Sequence, residues 1–284
     1  MKLVSLLIFL TATVHFAQTE IIDFHSHQNI KKFANHLFCD GDYLRTALEY
    51  EKLPEKFFND TLYFKTALSY SIVREYPSAH KYFAKISPFF RLYDIASLER
   101  MKLFILQSDF KSLEYYYTDL FVNERSELNT RAKKIFNVSL LLSDDKLPPK
   151  NDFLLPFDSE DEKISSLYDW KQNPPYKSAV LAGILSALIP GSGKIYAGQI
   201  GDGIVGFLTS ALFSFIAYDN FKAGHDTRGW IWAGVAGLFY AGNVYGSIAA
   251  AQIHNARITF EFNENLNVYL NDKNFFIPEY EFCR

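Results

Sequence analysis

The chain has 284 residues, enough for one or two domains. Its 29 Lys and Arg residues balance 32 Asp and Glu residues, so the basic footprint of a nucleic-acid-binding protein is missing. The 49% hydrophobic content is ordinary for a soluble protein, but the apolar excess gathers between Ser178 and Arg257, and 17% of all residues are aromatic.

Residues 1–17 read as a secretory signal peptide. Lys2 gives the positive start, and Leu3 to Phe16 form an apolar core too short for a comfortable membrane span. An uncleaved anchor is the alternative. Asp23, His25 and His27 then resemble the H-x-H opening of metal-dependent amidohydrolases, which implies a metal held at the end of a first barrel strand. That fold needs about 250 residues of alternating strand and helix. The residues after His27 carry a helical pattern instead, so a polar leader into the first helix is the preferred reading. A metal-dependent hydrolase stays as the remote one, and no catalytic, metal or cofactor residue is assigned.

From Ile30 the pattern is helical and repetitive. Ala34, Leu37, Tyr43, Thr46 and Tyr50 form one row of matching positions. Ala67, Tyr70, Tyr76, Ala79 and Phe83 form a second, and Met101, Phe104, Phe110, Leu113 and Tyr117 a third. Tyr43, Tyr76 and Phe110 recur near a 34-residue period, each where one helix gives way to the next. These rows resemble tetratricopeptide repeats. The resemblance implies paired antiparallel helices over residues 30–150, with a groove that takes a peptide or protein; a plain helical spacer is the alternative. Residues 151–177 read as an acidic, proline-broken linker with a short helix around Ile164 to Trp170.

Residues 178–257 read as a glycine-rich membrane module of two or three apolar segments. Ala179 to Ile189 and Ile204 to Tyr218 are shorter than the roughly 20 residues of a full span, whereas Trp230 to Ile253 is long enough. The first two segments either both cross or form a re-entrant hairpin around Gly191 to Gly203. Gly191-Ser192-Gly193-Lys194 lacks the first glycine and the hydroxyl residue of a P-loop. Gly201 to Gly206 matches G-x-G-x-x-G but has no strand before it. Packing explains these glycines better. Ala233, Gly237, Ala241, Gly242 and Gly246 make a small-residue helix face beside Asn243 and Tyr245, suited to intramolecular packing or to a homodimer contact.

The residues Gly191, Gly193, Tyr196, Gly198 and Gly203 resemble the glycine-rich turn of the TM2-type helical hairpin. With the downstream helix they resemble bacterial envelope proteins that carry helical repeats ahead of such a module. No catalytic residues come with that resemblance. Residues 258–284 read as a short β-like tail, from the alternation of Ile258, Phe260 and Phe262. Cys39 and Cys283 either pair in an oxidising compartment or remain free thiols. The expectation is a mainly α protein: an exported scaffold or adaptor of the bacterial inner membrane, with its repeats in the periplasm. Its expected partners are the membrane and an unidentified protein. An accessory to membrane-protein insertion or transport is the alternative.

Overall fold

The computed structural model describes residues 23, 25–121, 127–158 and 161–283; the expected signal segment lies outside them. Described residues of Met1–Leu120 and Pro278–Arg284 form one compact unit, and those of Phe121–Ile277 form another. Regular structure among the described residues is helical, with no strand.

In the first unit, α1 (His27–Cys39) and α2 (Tyr43–Glu51) pair, as do α3 (Asp60–Ile72) and α4 (Tyr76–Phe83); α5 (Tyr93–Leu106) and α6 (Phe110–Phe121) follow in the same order. Each link has three residues, and its middle residue is left-handed: Gly41 at φ 80°, Arg74 at 65° and Ser108 at 57°. The next residue then donates its N–H to a carbonyl five positions back: Asp42 to Leu37, Glu75 to Tyr70 and Asp109 to Phe104, each at 2.9 Å. This is the Schellman closure, which satisfies carbonyls that the helix end leaves open. Asp42 and Asp109 also start the following helix, their carboxylates accepting from Arg45 N–H and Ser112 N–H. The repeated positions point inward. Ala34, Ala67 and Met101 are fully buried, and Tyr43, Tyr76 and Phe110 are half-buried as the first residues of α2, α4 and α6.

The second unit begins with α7 (Glu127–Leu142), α8 (Lys150–Leu154) and α9 (Glu162–Gln172). Their apolar faces enclose Val138, Phe153, Ile164 and Leu167 together with Phe262, Leu266 and Tyr269. Those last three belong to a single 47-residue helix, α13 (Asp226–Asp272). At ~1.5 Å per residue it is about 70 Å long. Ahead of it come α10 (Ala179–Leu188), α11 (Ser192–Tyr196) and α12 (Ile200–Lys222).

Three expectations are corrected. The β-like tail is helix as far as Asp272, because Phe262, Leu266, Tyr269 and Leu270 lie on one buried helical stripe. Residues 151–177 are not a bare linker, since α8 and α9 bury Phe153, Ile164 and Leu167 in the core of the second unit. The described residues of 121–150 join that same unit rather than the helix pairs. The apolar segments also change rank. The helix around Ile204 to Tyr218 begins at Ile200 and runs 23 residues to Lys222, and it is the one described helix long and apolar enough to cross a membrane. The Trp230–Ile253 stretch does not meet that measure; Asn243, Ser247 and Gln252 dilute its apolar character.

Candidate functional site

The helices α10 to α13 build a hairpin module around a buried polar seam. α10 runs antiparallel to α13: Lys177 meets Asn255 near its start, Ser186 meets Ser247, and Ala187 meets Tyr240 at its far end. At Pro190-Gly191 the chain reverses. Gly191 takes φ 86°, and α11 comes back beside α10, bringing the Tyr196 hydroxyl to accept from the Ser178 N–H at 3.1 Å. Lys177 Nζ sits 5.0 Å over the Tyr196 ring. Gly198, at φ 88°, then turns the chain into α12, which runs antiparallel to α13. Gly206 and Ser210 meet Asn243, and Phe213 stacks on Phe239.

The glycines permit this geometry by having no side chain. A Cβ on Gly193 would lie 1.9 Å from the Ala182 carbonyl oxygen, and one on Gly191 2.0 Å from that of Gly203. A Cβ on Gly203 would strike Ile195 at 2.4 Å. The backbone of the reversal is satisfied by protein. The Gly193 N–H donates to Ser186 Oγ at 2.9 Å, and the Ser186 and Ser247 hydroxyls are 2.6 Å apart. Ser247 Oγ donates to the Asn243 carbonyl at 2.8 Å, so Ser186 supplies the hydrogen between the two hydroxyls. Asn243 Nδ2 donates to the Gly206 carbonyl at 2.8 Å and to Ser210 Oγ at 2.9 Å. The Tyr240 hydroxyl donates to the Ala187 carbonyl at 2.6 Å, where α10 ends.

The small-residue face is placed differently from expectation. Asn243, Ser247, Ala250 and Ala251 form the buried stripe of α13. Gly237 and Gly242 face open space, and Tyr245 is exposed. Gly246 touches the Lys194 stem, where an added Cβ would sit 3.1 Å from Cε. Sequence reasoning missed Ser186, Ser210, Tyr240, Ser247 and Asn255. The signal for the first four was hydroxyls set among apolar residues. Asn255 exchanges two hydrogen bonds with the Lys177 backbone, at 2.7 and 2.9 Å, and so fixes where the module begins.

Beside the seam lies a cavity of about 390 Å³ between α12 and α13. Lys194 and Asp202 line it together with Gly206, Leu238, Gly242 and Asn243. The outer surface of the module is apolar: Val180, Leu188, Leu208, Leu212, Phe215 and Trp230 are all exposed. Only 22% of the most apolar window of α12 is buried within the protein.

A second constellation lies in the first unit. Cys39 and Cys283 form a disulfide with Cα atoms 5.5 Å apart. The segment before Cys283 contacts the first helix of each pair in turn. The Glu279 carboxylate meets Lys102 Nζ at 3.2 Å, and the Glu279 N–H donates to Glu99 Oε1 at 3.0 Å. Phe282 packs edge-on against Phe64 and Phe38, with ring centres 5.3 and 5.8 Å away, and Lys65 Nζ lies 5.2 Å from its ring centre. The N-terminal residues do not converge on a site. The Asp23 carboxylate accepts from the His25 N–H, and His27 stacks on Phe57. Among the described residues no group of three or more His, Cys, Asp or Glu side chains is arranged to hold a metal ion.

Comparison with protein-family models, curated proteins and solved structures finds no match for this chain.

Proposed function

We propose that the chain is an exported scaffold of a bacterial cell envelope, anchored in the inner membrane by the α10–α13 hairpin module. Its helix pairs, read as tetratricopeptide-like repeats, face the periplasm and bind a protein partner. The observation that carries the anchor is the exposed apolar surface of α10, α12 and the first half of α13, on a helix α12 that the protein leaves mostly uncovered. In water that surface costs roughly 25 cal/mol per Å²; in lipid it costs nothing. On this reading α12 and α13 cross, and α10 with α11 enters and returns on one side, its irregular backbone covered by Tyr240, Ser186 and Ser247. The Cys39–Cys283 disulfide supports an oxidising compartment for the helix pairs. A reporter enzyme placed after Asp145 tests the reading: periplasmic activity is expected, and cytoplasmic activity overturns it.

The alternative, an accessory to membrane-protein insertion or transport, draws on the cavity that holds Lys194 and Asp202 in the hairpin. A photo-crosslinker at Leu238, on the cavity wall, should then capture a translocating segment. Crosslinks confined to this chain's own helices favour the scaffold.

A further inference from the structure

The 278–283 segment sits in the first unit in the manner of a ligand. Among the described residues it has no helix or strand of its own, and unit side chains hold it. It traverses the helix pairs in reverse order. Glu279 is held by Glu99 and Lys102 on α5, Phe282 by Phe64 and Lys65 on α3, and Cys283 by Cys39 on α1. Tyr280 adds its hydroxyl, which accepts from Arg91 Nη2 at 3.4 Å. The three kinds of contact are those by which extended peptides are recognised. One is a main-chain N–H taken by a carboxylate. Another is a side-chain charge met by Lys102, which is 5% exposed with the segment seated and bridges Glu279 and Glu99. The last is a ring seated among Phe38, Phe64 and the Lys65 ammonium. The face they define carries Lys65, Arg91 and Lys102 against the Glu99 carboxylate, which pairs with Lys102 at 3.1 Å and takes the main-chain N–H. Lys102 meets the ligand carboxylate, and Lys65 with Phe38 and Phe64 makes the ring pocket.

We propose that the face formed by α1, α3 and α5 is a binding site for extended peptide segments in which carboxylates alternate with aromatic rings, and that Pro278–Cys283 occupies it as a tethered ligand. The proposal rests on the reading of the helix pairs as a partner-binding domain, and it names the chemistry of the partner. The tether explains how a short segment fills the site. Two covalent links hold the segment, the main chain from α13 and the disulfide, and each replaces a bimolecular encounter with a high effective concentration. The site of a chain with Cys39 and Cys283 joined is therefore closed to other segments; without that bond the main-chain tether alone still competes, and only removal of the segment opens the site fully.

The test uses the full chain in detergent with residues 278–284 deleted, and a fluorescent peptide of residues 278–284 carrying Cys283→Ser. Saturable binding to the deleted protein is expected, with none to the disulfide-bonded chain. Glu279→Lys and Phe282→Ala in the peptide should each weaken binding by about tenfold or more. No saturable binding to a deleted protein that keeps its helical circular dichroism overturns the proposal, as does equal binding to the bonded chain. If the deletion prevents folding, added peptide should restore helicity and raise the thermal midpoint; failure to do so overturns the proposal equally. Alkaline extraction of membranes carrying the deleted protein reads the anchor separately. Peptide failure with membrane retention sinks this site alone, whereas release from the membrane sinks the anchored scaffold.

Discussion

At the residue scale, two glycines of one module should respond in opposite directions. Gly193→Ala forces a methyl group onto the Ala182 carbonyl, a backbone atom that moves only if α10 and α11 separate. A loss of about 1–3 kcal/mol is expected, as for other overpacked sites. Gly237→Ala meets nothing within 4 Å in the middle of α13. It should be neutral or gain up to about 1 kcal/mol through helix propensity. Thermal midpoints of the two variants in one detergent check the contrast. His80 offers a pH test. Burial, and then the Arg100 guanidinium, push its pKa down to about 4, with Asp109 pulling weakly the other way. Neither ring nitrogen has a hydrogen-bond partner, and the ring packs on Phe104 at 4.5 Å between centres. The folded pKa lies below the unfolded value near 6.5. The stability associated with neutral His80 is thus whole above about pH 6.5 and is lost as pH falls toward 4. His80→Phe should flatten that part of the stability profile, measured by urea titration between those pH values. An unchanged slope would show that another group carries it.

At the element scale, α13 uses one face for two tasks. Asn243, Ser247 and Ala251 face the hairpin, and Phe262, Leu266 and Tyr269 face α7 to α9. The 11-residue step from Ala251 to Phe262 is close to three full turns, so both sets share a stripe. Two alanines inserted after Arg257 rotate one set by about 200° from the other, whereas four rotate it by about 40°. The shorter insertion should therefore lower the thermal midpoint more than the longer one. The reverse order would mean that the two halves of α13 act independently. This stripe also shows what sequence could and could not reveal. The three turns of the helix pairs were legible because Tyr43, Tyr76 and Phe110 each open a helix just after a left-handed link, and the links repeat with the period. The reversal at Gly191 and Gly193 was legible because close backbone approach demands glycine. The end of α13 was not. Ile258, Phe260 and Phe262 alternate like a strand, and the asparagines from 263 to 267 resemble a turn. Once a helix is nucleated, extending it is inexpensive. Burial of Phe262, Leu266 and Tyr269 against α7 to α9 then outweighs the weak helix preference of asparagine. Asn265 even returns its amide to the Glu261 carbonyl at 2.8 Å. Only the tertiary partner, distant in sequence, decides this.

At the scale of the whole molecule, the uncovered apolar belt predicts that the protein stays with membranes through alkaline extraction and leaves them only in detergent. Leu212→Arg, on the exposed face of α12, should lower membrane insertion at a cost of about 2.5–3.5 kcal/mol in a glycosylation-based or protease-protection assay. Full insertion of that variant would argue against α12 as a span. Cys283→Ser should lower the thermal midpoint by removing a cross-link across a sequence separation of 244, with about 2–5 kcal/mol at stake. Reduction of the wild type should reproduce the effect and should leave Cys283→Ser unchanged. The same bond has a consequence for synthesis. Cys39 emerges early and Cys283 only after the whole intervening unit has been made. The first helix pairs thus spend their nascent lifetime with an unmatched thiol and an unfilled face. Assembly is then ordered in time: the hairpin module is complete before the first unit can be sealed, and formation of that one bond reports that everything between the two cysteines has been delivered.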